Sequence, residues 1–340
     1  MSATAPPRSL ADSWELGGVT VPNRVVLAPL AGIGNWFVRL QAKRHGAGLC
    51  VSEMVSSFAI HHRNERTLRE LLRVHPDERT GGPVAIQLFG HDPEVMRSAA
   101  AEVARTGVDL VDLNMGCPVP KVCKTGAGAA LLEDPGRAVE LALAAREGSG
   151  LPVTVKLRTS RTREDRAGVE VARRLAAEAG VAGLTLHPRS ATQGHRGAPD
   201  HAVVRELVEE LAVPVIVSGG LRDPDSARRA WEETGAEAIM LARGSLGNPW
   251  LFEQLVGRRA GEPSRDEVLA ELEWVIDRAV EHLGEARAAR YLRKFYPWYL
   301  ERLGGGPAVR DALQRAESTA EARRYTAALA ATGAVPHPAP

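Results

Sequence analysis

The sequence predicts an α/β fold: a closed (β/α)8 TIM barrel followed by a small C-terminal helical domain. Eight short apolar runs rich in β-branched residues recur along most of the chain. Amphipathic stretches of helical period separate them. Beyond Gly257 the strand-like runs stop and only helical periodicity continues. These three observations place the barrel at residues 1–257 and the helical domain at 258–340.

The runs are Val25–Leu30, Gly48–Val55, Pro83–Phe89, Leu110–Asn114, Pro152–Leu157, Gly183–His187, Pro214–Ser218 and Ala238–Ala242. They are continuously apolar, not alternating, as strands buried on both faces of a parallel sheet are. Helical stretches between them include Pro93–Thr106, Pro135–Glu147, Glu164–Ala179 and Asp223–Thr234. Asp92-Pro93, Asp134-Pro135 and Asp223-Pro224 each mark a helix start. The aspartate accepts the first free amides, and proline at the first helical position gives up a donor that had no partner. A doubly wound sheet is the rival, but it does not need eight such regular units. Arg258–Arg265 is polar, with Gly and Pro, and reads as a linker. Helices are then expected at Asp266–Leu283, Glu285–Leu303, Pro307–Ala316 and Thr319–Ala331, with a fraying tail at Thr332–Pro340.

Composition narrows the function classes. Of 340 residues, 44% are hydrophobic and 25% charged, which argues against a mostly disordered chain. No apolar run approaches the roughly 20 residues that span a bilayer, so no membrane role is expected. Lys+Arg is 43 and Asp+Glu 42, so a nucleic-acid partner must meet a local basic patch. Cys50, Cys117 and Cys123 give no disulfide framework. They fit a reducing compartment, the cytoplasm, and Met1–Leu10 has no pattern of a secretory signal. No Cys-x-x-Cys pair is present, so no metal is expected. Oligomeric state is open, with a monomer the default.

Barrels of this kind carry their chemistry at the C-terminal ends of the strands. Polar side chains fall there on nearly every predicted strand: Glu53, Gln87, Asn114, Lys156 with Arg158, His187 with Arg189, Ser218 and Arg243. Burying them unpaired would be costly, so they read as the lining of one site. Gly219 and Gly220 let backbone amides approach an anion, and Arg243 adds a guanidinium fork. A phosphorylated ligand is inferred, the alternative being glycines that merely turn the chain. Lys156 either pairs with Glu53 or faces an electron-rich cofactor ring. His187 and Gln87 are each either ligand contacts or satisfied structural groups. Cys117, in a loop bounded by Gly116 and Pro118 with Lys121 and Lys124 nearby, is a candidate acid or nucleophile. Cys50, inside a strand, reads as an inert thiol.

Asn114-Met115-Gly116-Cys117-Pro118, then Lys121-Val122 and Gly126 to Leu132, resembles the tRNA-dihydrouridine synthases. So do Ala28-Pro29-Leu30-Ala31-Gly32, Lys156-Leu157-Arg158, His187-Pro188-Arg189 and Arg243 to Trp250. The resemblance implies an FMN-containing barrel with a helical domain that helps hold tRNA. It implies that NADPH reduces the flavin, that flavin hydride goes to C6 of a uridine, and that Cys117 protonates C5. It places Pro29, Leu30 and Ala31 against the flavin, and Gln87, Lys156 and His187 on its ring or ribityl chain. Ser218, Gly219, Gly220, Ala242 and Arg243 would surround the phosphate, and Asn114 and Arg189 would hold the uracil. Leu30, Ser218, Ala242 and His195 stand where the family commonly has methionine, asparagine, glycine and tyrosine.

In the helical domain, Arg287, Arg290, Arg293, Lys294 and Arg302 cluster with only Glu301 opposing them. Arg287, Arg290 and Lys294 are expected on one helix face, and Arg290, Arg293 and Lys294 as tRNA phosphate contacts. The alternative is an amphipathic helix with solvated arginines. A second enzyme reading is an FMN-dependent dihydroorotate- or dihydropyrimidine-dehydrogenase-like barrel acting on a free base.

Overall fold

A computed structural model describes residues 8–162 and 165–331. A short antiparallel hairpin comes first, β1 (Trp14–Leu16) and β2 (Val19–Val21). Eight parallel strands follow: β3 (Val25–Leu27), β4 (Leu49–Ser56), β5 (Val84–Phe89), β6 (Leu110–Met115), β7 (Val153–Arg158), β8 (Gly183–His187), β9 (Val215–Ser218) and β10 (Ala238–Leu241). They close in sequence order, β10 pairing with β3. Each strand matches one of the predicted runs. β3 stops at Leu27, three residues short of the run, so Ala28–Leu30 already belong to the mouth.

The Asp-Pro starts cap as expected. Asp92, Asp134 and Asp223 accept the amides of Val95, Arg137 and Ser226. The helix expected from Glu164 is described from Ala167 and runs to Ala179, its last five residues in a π turn. Glu164 and the tail Thr332–Pro340 lie outside the described residues.

Register sets the heights of the polar side chains. Asn114 on β6 faces Lys156 on β7, and Arg158 on β7 faces His187 on β8. At the opposite end Trp14, Leu16 and Val21 of the hairpin join Leu49, Leu110 and Ala238 in one buried cluster. The Trp14 indole donates to the carbonyl of Asn23 at 2.9 Å. The hairpin therefore seals the N-terminal end of the barrel. Its three-residue strands are too short to show periodicity, and sequence reasoning missed it.

The described residues divide into two compact units: 8–244 with 252–258, and 245–251 with 259–331. The second is helical, with helices at Arg265–Leu283, Glu285–Leu292, Tyr296–Leu303, Pro307–Arg315 and Thr319–Ala331. The single helix expected over Glu285–Leu303 is thus two. Pro297 has no amide hydrogen and its ring excludes a helical carbonyl four residues back, at Arg293. The chain breaks at 293–295 and restarts at Tyr296. Lys294 consequently sits past the end of the helix that carries Arg287 and Arg290, and the three do not share one helix face.

Candidate active site

The C-terminal ends of the strands surround a cavity of about 230 Å³ that opens to solvent. Its lining includes Pro29, Ala31, Asn114, Cys117, Lys156, His187, Arg189, Ser218, Gly219, Gly220, Ala242 and Arg243. Two expected residues do not line it. Leu30 is buried in packing just behind it. Gln87 is fully buried, with its amide nitrogen donating to Asp112 at 2.6 Å and its oxygen accepting from Asn114 at 2.9 Å.

Cys117 is half-buried on the loop after β6, and both ends of its peptide are held. Asn114 Oδ1 accepts its amide at 2.9 Å and that of Gly116 at 3.2 Å. Its carbonyl accepts the amide of Ala129 at 3.0 Å and the Cys123 thiol at 3.3 Å. Glycine at 128 is required here, with φ at +62° and a Cβ position 2.7 Å from the Cys117 carbonyl oxygen. Burial pushes the Cys117 thiol above its ordinary pKa, outweighing the Val119 amide and the charges of Arg158 and Lys156. The thiol therefore stays protonated at neutral pH.

Lys156 projects from β7 and is half-buried. Burial, then the Arg158 charge, push its pKa down to about 8, opposed by Asp112 and Cys117. The Glu53 pairing is not formed: Glu53 accepts the amide of Gly32 at 2.8 Å, and Lys156 has no ion-pair partner among the described residues.

His187 is buried beside three cations. Its Nε2 lies 3.1 Å from Nη1 of Arg189, and because a guanidinium only donates, Nε2 accepts and Nδ1 carries the proton. Burial, with the charges of Lys156, Arg158 and Arg189, holds its pKa far below the ordinary histidine range. It is a neutral hydrogen-bond donor. His195 stacks on it at 5.6 Å between centroids, with its own pKa pushed down to about 4 by burial and by Arg243.

The arginines divide their work. Arg158 donates to the carbonyls of Gly116, Ser190 and Gly194 at 2.9, 2.9 and 3.0 Å, tying the Cys117 loop to the loop after β8. Arg189 donates twice to the Gly197 carbonyl, at 3.1 and 2.8 Å, besides its bond to His187. Much of its donor capacity is therefore spent on that loop. Arg222 and Arg243 are exposed at the rim. Sequence reasoning missed Arg222, Met54 and Leu221 in the lining, since one arginine on a polar loop carries no distinguishing signal.

Gly219 and Gly220 have φ of +93° and +87°. A Cβ at Gly219 would sit 2.3 Å from Cδ2 of His187. A Cβ at Gly244 would sit 2.4 Å from the Leu221 carbonyl oxygen. Side chains are thus excluded where backbone amides and Arg243 meet. With the unpaired Lys156 ammonium farther in, the donor set fits a phosphorylated, electron-rich group, and FMN is such a group. Among the described residues no cluster of three or more His, Cys, Asp or Glu could hold a metal, and no helix is long and apolar enough to cross a membrane.

In the helical unit, Arg290 and Lys294 are exposed. The Lys294 ammonium lies 4.7 Å from the Tyr291 ring centroid. Arg293 is half-buried and donates to the Ala316 carbonyl at 3.0 Å.

A closed parallel barrel with a polar cavity and a thiol at the C-terminal ends of its strands defines the class: a TIM-barrel protein with its candidate site at that mouth. Solved structures share the fold. Morphinone reductase superposes with a TM-score of 0.55 at 18% identity, over 76% of this chain and 92% of that one. The old yellow enzyme homologue from Zymomonas mobilis gives 0.58 at 16% identity, over 74% and 93%. Sequence relatives are nearer. The tRNA-dihydrouridine synthase B of Pseudomonas aeruginosa is 34% identical over 89% of this chain and 92% of its own length. That of Pasteurella multocida is 33% identical over 87% and 90%. The dihydrouridine synthase family model matches residues 26–334, and the chain belongs to that family.

Proposed function

We propose that this chain reduces specific uridines in tRNA to 5,6-dihydrouridine, with FMN as cofactor and NADPH as reductant, in the cytoplasm. The observation that carries the reading is Cys117, a protonated thiol fixed at both ends of its peptide in the mouth of a cavity that also presents Lys156 and the Gly219–Gly220 cradle. When bound, FMN supplies the hydride for C6 of the uracil.

The amides of Gly219 and Gly220 and the Arg243 guanidinium would hold the phosphate, with Ser218 and Ala242 beside them. Pro29 and Ala31 would meet the ring, with Leu30 packed next to them in the chain. Lys156 would set a cation beside the ring, and neutral His187 would offer its Nδ1–H. Gln87 supports this wall of the site from behind through Asn114. Adding hydride at C6 builds negative charge on C5 and O4, and a positioned acid must quench it. Cys117 gives its proton to C5, and its thiolate then recovers a proton from solvent. The raised thiol pKa makes that recovery favourable. Asn114 and Arg189 border the space the uracil enters, which requires the base to leave its stack. In the domain expected at residues 258–340, Arg290, Lys294 and Arg293 contact tRNA phosphates, Arg293 with what its bond to Ala316 leaves free.

The test is direct. The purified protein should be yellow, and with NADPH it should form dihydrouridine in unmodified tRNA, read by mass-spectrometric mapping. Turnover of free orotate or uracil with none on tRNA would replace this reading with the free-base dehydrogenase.

A further inference from the structure

We infer that Asp112, which does not line the cavity, is a positioning residue for proton delivery by Cys117, acting through a one-way chain of hydrogen bonds across β5, β6 and β7. The inference rests on Cys117 as the acid of the proposed reaction.

Asp112 sits in β6 among Leu110, Val111 and Leu113 and is 1% exposed. A carboxylate there is costly unless its oxygens are filled. Oδ1 accepts from the Thr154 hydroxyl and Oδ2 from the Gln87 amide nitrogen, each at 2.6 Å. Gln87, with its nitrogen so committed, turns its oxygen to Asn114 and accepts from Nδ2 at 2.9 Å. Asn114, with its nitrogen committed in turn, presents Oδ1 to the amides of Gly116 and Cys117.

Two amide side chains in contact have no intrinsic direction, because each owns a donor and an acceptor end. An ionised carboxylate only accepts. Placed at one end, with the Gly116 and Cys117 amides that only donate at the other, it completes a chain in which both amides face one way and so steadies the acceptor under Cys117. Burial raises the Asp112 pKa to about 6, and the bonds from Thr154 and Gln87 act the other way. It is therefore ionised at neutral pH and the chain is set.

The test uses the flavin-loaded enzyme and unmodified tRNA. Asp112→Asn replaces the acceptor-only end by a group with a donor of its own while keeping the shape, leaving the Gly116 and Cys117 amides alone to set the direction. It should lower kcat by about 10- to 100-fold, the usual effect of losing such a support, with KM for tRNA and flavin content held. A loosened loop exposes the thiol, so Cys117 alkylation by iodoacetamide should rise by about twofold or more. Asp112→Asn combined with Gln87→Glu restores the direction, because the new amide at position 112 would then donate to a carboxylate that accepts from Asn114. The pair should recover most of both effects, which loss of packing or of a buried charge alone does not predict. If Asp112→Asn fails to fold, Thr154→Val should show the same two changes at smaller amplitude. Wild-type kcat and alkylation rate in the single variant would overturn the inference, as would a double variant no better than the single. A wild-type enzyme inactive on tRNA would defeat the proposed function and this inference with it, whereas an active enzyme indifferent to Asp112→Asn would defeat this inference alone.

Discussion

Lys156→Met should stabilise the flavin-free protein while weakening its hold on flavin. Burial lowers the Lys156 pKa from 10.5 to about 8. Below pH 8 the lysine is charged both folded and unfolded, and the folded state bears the full cost. Between pH 8 and 10.5 the folded protein releases the proton first, so stability rises with pH and the cost fades. One pKa unit corresponds to about 1.4 kcal/mol, so the shift amounts to about 3 kcal/mol. Lys156 is only half-buried, so about 2 kcal/mol is the fairer figure for the variant at pH 7. For a chain of this size that is about 3 °C in Tm. The assay is thermal unfolding of both flavin-free proteins at pH 7 and pH 9.5, followed by FMN titration. The variant should melt higher at pH 7, the gap should shrink at pH 9.5, and FMN should raise the wild-type Tm more. A variant that melts lower at pH 7, or a gap indifferent to pH, would refute the reasoning.

Cys117→Ala should keep bound flavin and tRNA affinity yet lose about 10²- to 10⁴-fold in uridine reduction, the range for a positioned acid; full turnover in a single-turnover assay would remove Cys117 from that role. Gly219→Ala forces a side chain at φ +93° against His187, so FMN affinity should fall sharply, as flavin fluorescence titration would reveal. Arg290→Glu with Lys294→Glu should weaken tRNA binding and flatten its dependence on salt by about one unit of log–log slope or more, measured by filter binding at several ionic strengths.

Much of this molecule is legible in its sequence because strands and caps are local. Eight buried runs and three Asp-Pro starts are enough to specify the barrel, and a barrel dictates which end of each strand holds the chemistry. What stayed hidden depends on contacts between distant residues. The family resemblance implies a uracil contact for Arg189, just beyond β8. Its bonds to the Gly197 carbonyl and to His187 emerge only when the loop folds back. Gln87 reads as a ligand contact because it is polar in an apolar strand, yet its partners come from β6. Asp112 carried a visible signal, an acid amid Leu110, Val111 and Leu113, which attention to strand ends alone passes over. The break before Tyr296 was also written in the chain, as Pro297 inside an otherwise helical pattern.

Among the described residues, the plug formed by Trp14, Leu16 and Val21 closes one end of the barrel interior. On the proposed function, a nucleotide reductant and a flipped-out base would then arrive and depart through the same opening, with no back passage at the plugged end. Turn-taking is then a property of the architecture. The reduced and oxidised half-reactions would alternate, each guest leaving before the next is admitted, and steady-state plots against the two substrates should run parallel.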